Sequence, residues 1–124
     1  MTKTYGDCVY CGDEANSIDH IPAQSRRWYL EGKYEFLEVE ACMDCNLMLS
    51  NKSYNTLYER KRFILQRLEE RAREMKVRGT WTTDEIMKIE GHLRTQAMTD
   101  RANYEDLCNR LIYARYTTNE VREI

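Results

Sequence analysis

Four of the five cysteines of this 124-residue chain fall in two pairs of identical spacing, Cys8-Val9-Tyr10-Cys11 and Cys42-Met43-Asp44-Cys45. A C-x-x-C turn presents two sulfurs to one side, and four thiolates complete the tetrahedral shell that zinc prefers. A redox dithiol needs one such pair, and an iron–sulfur cluster usually shows less regular spacing. The paired knuckles therefore predict one structural Zn²⁺ held by Cys8, Cys11, Cys42 and Cys45. Any fold must then bring residues 8–11 and 42–45 together and close the chain between them into a loop. Cys108 stands far from both pairs on a helical pattern and reads as a small buried apolar residue.

What lies between the knuckles is built of short elements. Ser17-Ile18-Asp19-His20-Ile21 reads as a strand stopped by Pro22, and Phe36-Leu37-Glu38-Val39-Glu40-Ala41 alternates like a strand that runs into the second knuckle. Arg26-Arg27-Trp28-Tyr29 and Glu31-Gly32-Lys33 form the connection. From Cys42 onward the period is helical. Leu57, Ile64, Leu68, Ala72 and Met75 share one face of a long helix, Arg60, Arg67, Arg71 and Arg78 line a neighbouring stripe, and Gly79 ends it. Thr82-Thr83-Asp84-Glu85 predicts a capping box. It opens a helix with Ile86, Ile89, Leu93 and Ala97 on one side, and a last helix carries Tyr104, Leu107, Cys108, Leu111 and Ile112. The expected class is α+β, with a metal-braced unit over residues 1–78 and a helical C-terminal extension over 79–124.

The formal net charge of −2 argues against a nonspecific nucleic-acid coat protein, but it hides a local pattern. Residues 35–51 carry only acidic charges, Glu35, Glu38, Glu40 and Asp44. Residues 52–78 carry nine Lys and Arg against four Glu, so a basic stretch follows directly on the second knuckle. No apolar run approaches the roughly 20 residues that span a bilayer, and the first six residues hold no apolar core of a secretory signal. A cytoplasmic location is expected.

The residues with chemistry to offer sit between and directly after the cysteine pairs. Asp19-His20 ends the first strand, and Asn46 follows the last cysteine. Zinc would hold that strand end near the start of the second knuckle's helix. Asp19 and Asn46 then offer two hard oxygen ligands, a set suited to Mg²⁺ or Mn²⁺. His20 points to the other side of the strand, where an imidazole can take a proton from a water attacking a phosphate.

In this order of residues the chain resembles the HNH, or ββα-metal, nucleases, in the zinc-containing branch that includes phage endonuclease VII. The resemblance spans about residues 8–65 and rests on Cys8, Cys11, Asp19, His20, Cys42, Cys45 and Asn46. The stretch from Phe36 to Leu49 is similar to small nucleases of phages and prophages. It implies a zinc-braced treble-clef unit with a β-hairpin and a long helix. It further implies a structural zinc on the four cysteines, a separate catalytic cation on Asp19 and Asn46, His20 as general base, and DNA as substrate. Two departures stand out: Leu37 replaces an Asn that many members carry nine residues before the final ligand, and the interval from Cys11 to Asp19 is short.

Arg26 and Arg27, just past the expected base, are the first choice for phosphate contacts, with Arg60 and Arg67 of the basic stripe second. Glu59, Glu69, Glu70 and Glu74 could equally pair with that stripe along the helix. Trp28 is expected to pack against its loop, Trp81 between helices, and His92 to be a surface residue. Two rival classes compete with the nuclease: a zinc knuckle that binds nucleic acid or protein without cutting, and a phage packaging or replication accessory protein. In the latter, the C-terminal helices form a homodimer or bind a phage partner.

Overall fold

The computed structural model describes residues 5–50, 52–78, 82–88 and 91–120. Its elements are strand β1 (Ser17–Ile21), a 3₁₀ turn (Gln24–Arg26), helix α1 (Arg27–Leu30) and strand β2 (Leu37–Ala41). Helices α2 (Met43–Leu49), α3 (Leu57–Arg78), α4 (Thr83–Lys88) and α5 (His92–Glu120) follow. The class is α+β, with a small antiparallel sheet of two strands.

The first knuckle turns at Gly12, whose φ of 80° is left-handed backbone that suits glycine. A single bridge, Asp7 to Glu14, closes it. Its backbone is tied to β2 by Val9 N–H donating to Glu40 O at 2.9 Å and by Asn16 N–H donating to Ala41 O at 3.1 Å. The hairpin pairs Ser17 with Ala41, Asp19 with Val39 and Ile21 with Leu37. Asp19 and Ile21 point inward and are buried, while Ile18 and His20 point the other way and are half-buried. A cis Ile21–Pro22 bond turns the chain out of β1. At the far end of β2, Cys42 caps α2: its sulfur accepts from Cys45 N–H, the job a Ser or Asp side chain usually does.

One apolar cluster runs through the whole molecule. Tyr10, Ile21, Ala41 and Leu49 of the knuckle and hairpin meet Ile64 and Leu68 of α3 and Leu107, Leu111 and Ala114 of α5. The C-terminal helix therefore shares the core with the cysteine-bearing half. The expected break between the last two helices falls earlier than anticipated. Gly91, at φ 71°, separates α4 from α5, and Ala97 then lies on one continuous helix with Leu107. The buried positions of that helix continue through Ala114 and Thr118, which leaves Ile112 64% exposed and Cys108 only partly buried. The capping box at Thr82 is present, with Glu85 N–H donating to Thr82 Oγ1 at 3.2 Å and Thr82 N–H to Glu85 Oε1 at 3.3 Å. Gly79, Trp81 and Ile89, and the side chains of Arg78, His92 and Leu93, lie outside what is described. Among the described residues no helix is long and apolar enough to cross a membrane.

Candidate metal centre and the strand beside it

The two knuckles converge. The ligand atoms of Cys8, Cys11, Cys42 and Cys45 all lie within 4.8 Å of one another, and all four residues are buried. Cys11 Sγ and Cys42 Sγ are 3.7 Å apart. Bonds of about 2.3 Å to a tetrahedral zinc place sulfurs about 3.8 Å apart, whereas a disulfide needs about 2.05 Å. The geometry is that of a metal cage. The acid–base state agrees: hydrogen bonds from Cys11 hold Cys8 and Cys42 below the ordinary thiol range, Cys42 at about 6. Hydrogen bonding with Cys42 pushes Cys11 up, and hydrogen bonding with Cys11 pushes Cys45 up. Four sulfurs this close cannot all ionise unaided, and a divalent cation resolves the conflict. The donor set, its burial and its spacing fit zinc.

Strand β1 leads from this cage, and Asp19 and His20 part company on it. Asp19 is 6% exposed and faces the interior. Its Oδ2 accepts a very short hydrogen bond from the Tyr10 hydroxyl. Both of its oxygens accept from Arg60 Nη1 of α3 at 3.2 Å. Arg60, itself 2% exposed, spends its Nε on Tyr54 O at 2.9 Å. Burial first, and the Asp19 carboxylate second, push the Tyr10 hydroxyl well above the usual phenol range, so it remains a donor.

Asn46 lies one turn into α2 and aims elsewhere. Its amide donates to Ser17 Oγ at 3.1 Å and to Ile18 O at 3.5 Å. It braces α2 against the start of β1, and the capping role belongs to Cys42. The expected shared cation seat is therefore closed as the side chains stand. Asp19 is saturated by a phenol and a guanidinium, and Asn46 turns its donor, not its oxygen, to the strand. A second cation beside Arg60 would meet like charge in a buried setting, so these residues do not fit one in this arrangement.

His20 stands on the open side of β1 with its side chain 26% exposed. Glu38, its partner in the hairpin register, places Oε1 3.5 Å from Nδ1. Nδ1 makes no hydrogen bond, so the two side chains are neighbours rather than bonded partners. Arg27 is tied to its own loop, donating to Pro22 O at 3.3 Å and to Leu37 O at 3.1 Å with its guanidinium over the Phe36 ring. Arg26 donates to Ser53 Oγ at 2.8 Å. Trp28 does not pack against the loop as expected: it is 79% exposed, with Tyr29 edge-on beside it.

Of the basic stripe, Arg60 is buried against Asp19 and cannot reach a nucleic acid, which corrects its expected role in phosphate contact. Arg67 pairs with Glu70 at 2.6 Å on the surface, and Arg71 holds Asp44 at 2.7 Å. That hydrogen bond keeps the Asp44 carboxyl below its ordinary range. Two buried cations escaped the sequence reading. Lys61 Nζ donates to Val9 O at 2.6 Å inside the first knuckle and to Thr117 Oγ1 of α5 at 2.8 Å. Burial lowers its ammonium to about 8 while the Cys8 thiolate pulls the other way. Arg110 of α5 reaches Cys45 and Asp44. The signal for all three was available. Arg60 and Lys61 fill the seven-residue gap between Leu57 and Ile64 on the core-facing stripe, and Arg110 stands between Leu107 and Ala114. A charge at a core-facing position calls for a buried partner.

Compared with protein-family models, with curated proteins and with solved structures, the chain matches none.

Proposed function

We propose that the chain is a zinc-braced, treble-clef nuclease of HNH type that hydrolyses DNA phosphodiester bonds, with His20 as general base. The observation that carries this reading is the half-buried imidazole of His20 on the open face of β1. It stands on the outer face of a strand anchored by the cysteine cage and leads directly into the turn that bears Arg26, Arg27 and the exposed Trp28. An open aromatic next to guanidinium groups suits stacking on a base and contact with phosphate. In this chemistry His20 takes the proton of the attacking water. A bound Mg²⁺ or Mn²⁺ would supply charge stabilisation of the phosphate. Its expected seat on Asp19 and Asn46 is closed by Arg60.

The test is single-turnover nicking of a supercoiled plasmid with and without Mg²⁺ or Mn²⁺. Replacing a general base typically slows a reaction by about 10²–10⁴-fold. His20→Ala is expected to fall in that range while keeping its zinc and its affinity for DNA. Cutting at the wild-type rate by His20→Ala would remove the proposed mechanism.

The Asp19–Arg60 pair favours one second reading: a zinc-braced module that binds nucleic acid without cutting it. Binding of labelled duplex by fluorescence anisotropy, with no nicking under any divalent cation, selects that reading. For a partner protein or second copy, the exposed Ile112 and Tyr116, one turn apart on α5, are the candidate contact, and light scattering reports the oligomeric state.

A further inference from the structure

We propose that Arg110 of α5 is a working part of the metal centre: its guanidinium holds the Cys45 thiolate and so controls how tightly zinc is kept. This rests on the four-cysteine zinc site and is independent of whether DNA is cut.

Arg110 is 8% exposed, although α5 has ample surface for a charged side chain. Its Nη2 donates to Cys45 Sγ at 3.5 Å and to Asp44 Oδ2 at 2.9 Å. Its Nε stands 3.5 Å from Asp13 Oδ2. One planar group thus reaches a residue two positions after Cys11 in the first knuckle and both a ligand and its neighbour in the second. A guanidinium suits this task because its donors diverge in a fixed fork and its charge survives burial.

The charge balance explains why a cation belongs here. Zinc with four thiolates carries two net negative charges, and the carboxylates of Asp13 and Asp44 add two more at its edge. Left alone, this crowd of negative charge repels itself and works against holding four sulfurs around one metal. Arg110 lowers that cost through a charge-assisted N–H···S contact, and Arg71 takes the remaining oxygen of Asp44 at 3.1 Å. Partners of metal ligands fix the ligand's orientation and set its affinity. The partner here arrives 65 residues after the ligand it serves, from the other end of the chain.

The test is competition for zinc between the purified protein and a chromogenic chelator, together with the thiolate-to-metal charge-transfer bands of the Co²⁺-substituted protein. Arg110→Met is expected to release zinc about 10–100-fold more readily and to shift those bands. Arg110→Lys, which keeps a charge but not the fork, is expected to fall between. The Tyr113 ring lies against Gly12, so Tyr113→Leu loosens the packing of α5 on the first knuckle without removing the guanidinium, and should leave the bands in place. Wild-type release and unshifted bands in Arg110→Met would overturn the proposal, as would an equal loss in Tyr113→Leu. Should Arg110→Met fail to fold, the band position of Arg110→Lys decides: a shift supports the proposal, and an unshifted spectrum overturns it.

Discussion

The knuckle-and-hairpin half and the α3–α5 half are stabilised by different forces. The hairpin offers two strands of five residues, fewer than a free-standing sheet needs. Its apolar contribution to the core is small, and what surrounds it is polar and specific: four sulfurs, the Tyr10–Asp19–Arg60 cluster, and Asn46 against β1. The helical half meets along Ile64, Leu68, Leu107, Leu111 and Ala114, an ordinary apolar seam. The first half adds to its share of the common core a cysteine cage that fits a metal and a few buried charges, whereas the second rests on buried area. A region of the first kind can place a catalytic or binding side chain on a short strand without a large core behind it.

Metal removal should produce the largest difference between the halves. Structural zinc contributes on the order of 10 kcal/mol to folding of small cysteine sites at neutral pH. Chelation, or Cys42→Ser, is expected to erase the β-hairpin resonances in an NMR spectrum while most helical circular dichroism survives. Simultaneous and complete loss of both signals would show that the halves are a single cooperative unit.

A smaller effect should come from the pin between the halves. Removing one partner of a buried ion pair typically costs about 3–5 kcal/mol, because the other charge is left unpaired. Arg60→Met and Asp19→Asn are each expected to lower the denaturation midpoint strongly, and the double substitution should recover much of the loss. If the three variants are equally stable, the pair is not a pin. The same series asks about the closed cation seat: Arg60→Met should bind Mn²⁺ more tightly than the wild type if Asp19 is a masked ligand.

The sequence made the hairpin half legible because its constraints are discrete. A fixed cysteine spacing, a proline after Ile21 and a knuckle after Ala41 mark the ends of both strands, and β1 runs from Ser17 to Ile21 as expected. The helical seam was also readable from its period. Contacts between the halves were harder to read. A period shows which face a residue occupies, not what waits opposite, so Arg60 read as part of a solvent-facing stripe although it shares the buried side with Leu57 and Ile64. Asp19 read as an available ligand for the same reason: nothing local announces that a guanidinium 41 residues later will take it. Large aromatics are usually buried, but the short α1 leaves Trp28 exposed with Tyr29 edge-on beside it.

The smallest effect should lie on the outer face of the helical half. Arg67 and Glu70 are an exposed pair three residues apart, worth about 0.2–0.5 kcal/mol. Arg67→Ala should barely move the melting temperature. If the stripe touches phosphate, however, the substitution should weaken DNA binding at low salt and reduce its salt dependence. No change in either property assigns Arg67 to the solvated surface.

The turn at Gly12 bears on which sequences this architecture can tolerate. A Cβ at this position would lie 2.7 Å from Cγ of the Tyr113 ring, on backbone whose φ is already 80°. Any codon change that replaces this glycine adds that atom, so the first knuckle has no conservative neighbour in sequence space here. Variation can reach the position only after Tyr113 has become smaller, and even then the backbone angle still disfavours a side chain. The order in which substitutions can accumulate is therefore fixed at this contact: the helix must change before the turn.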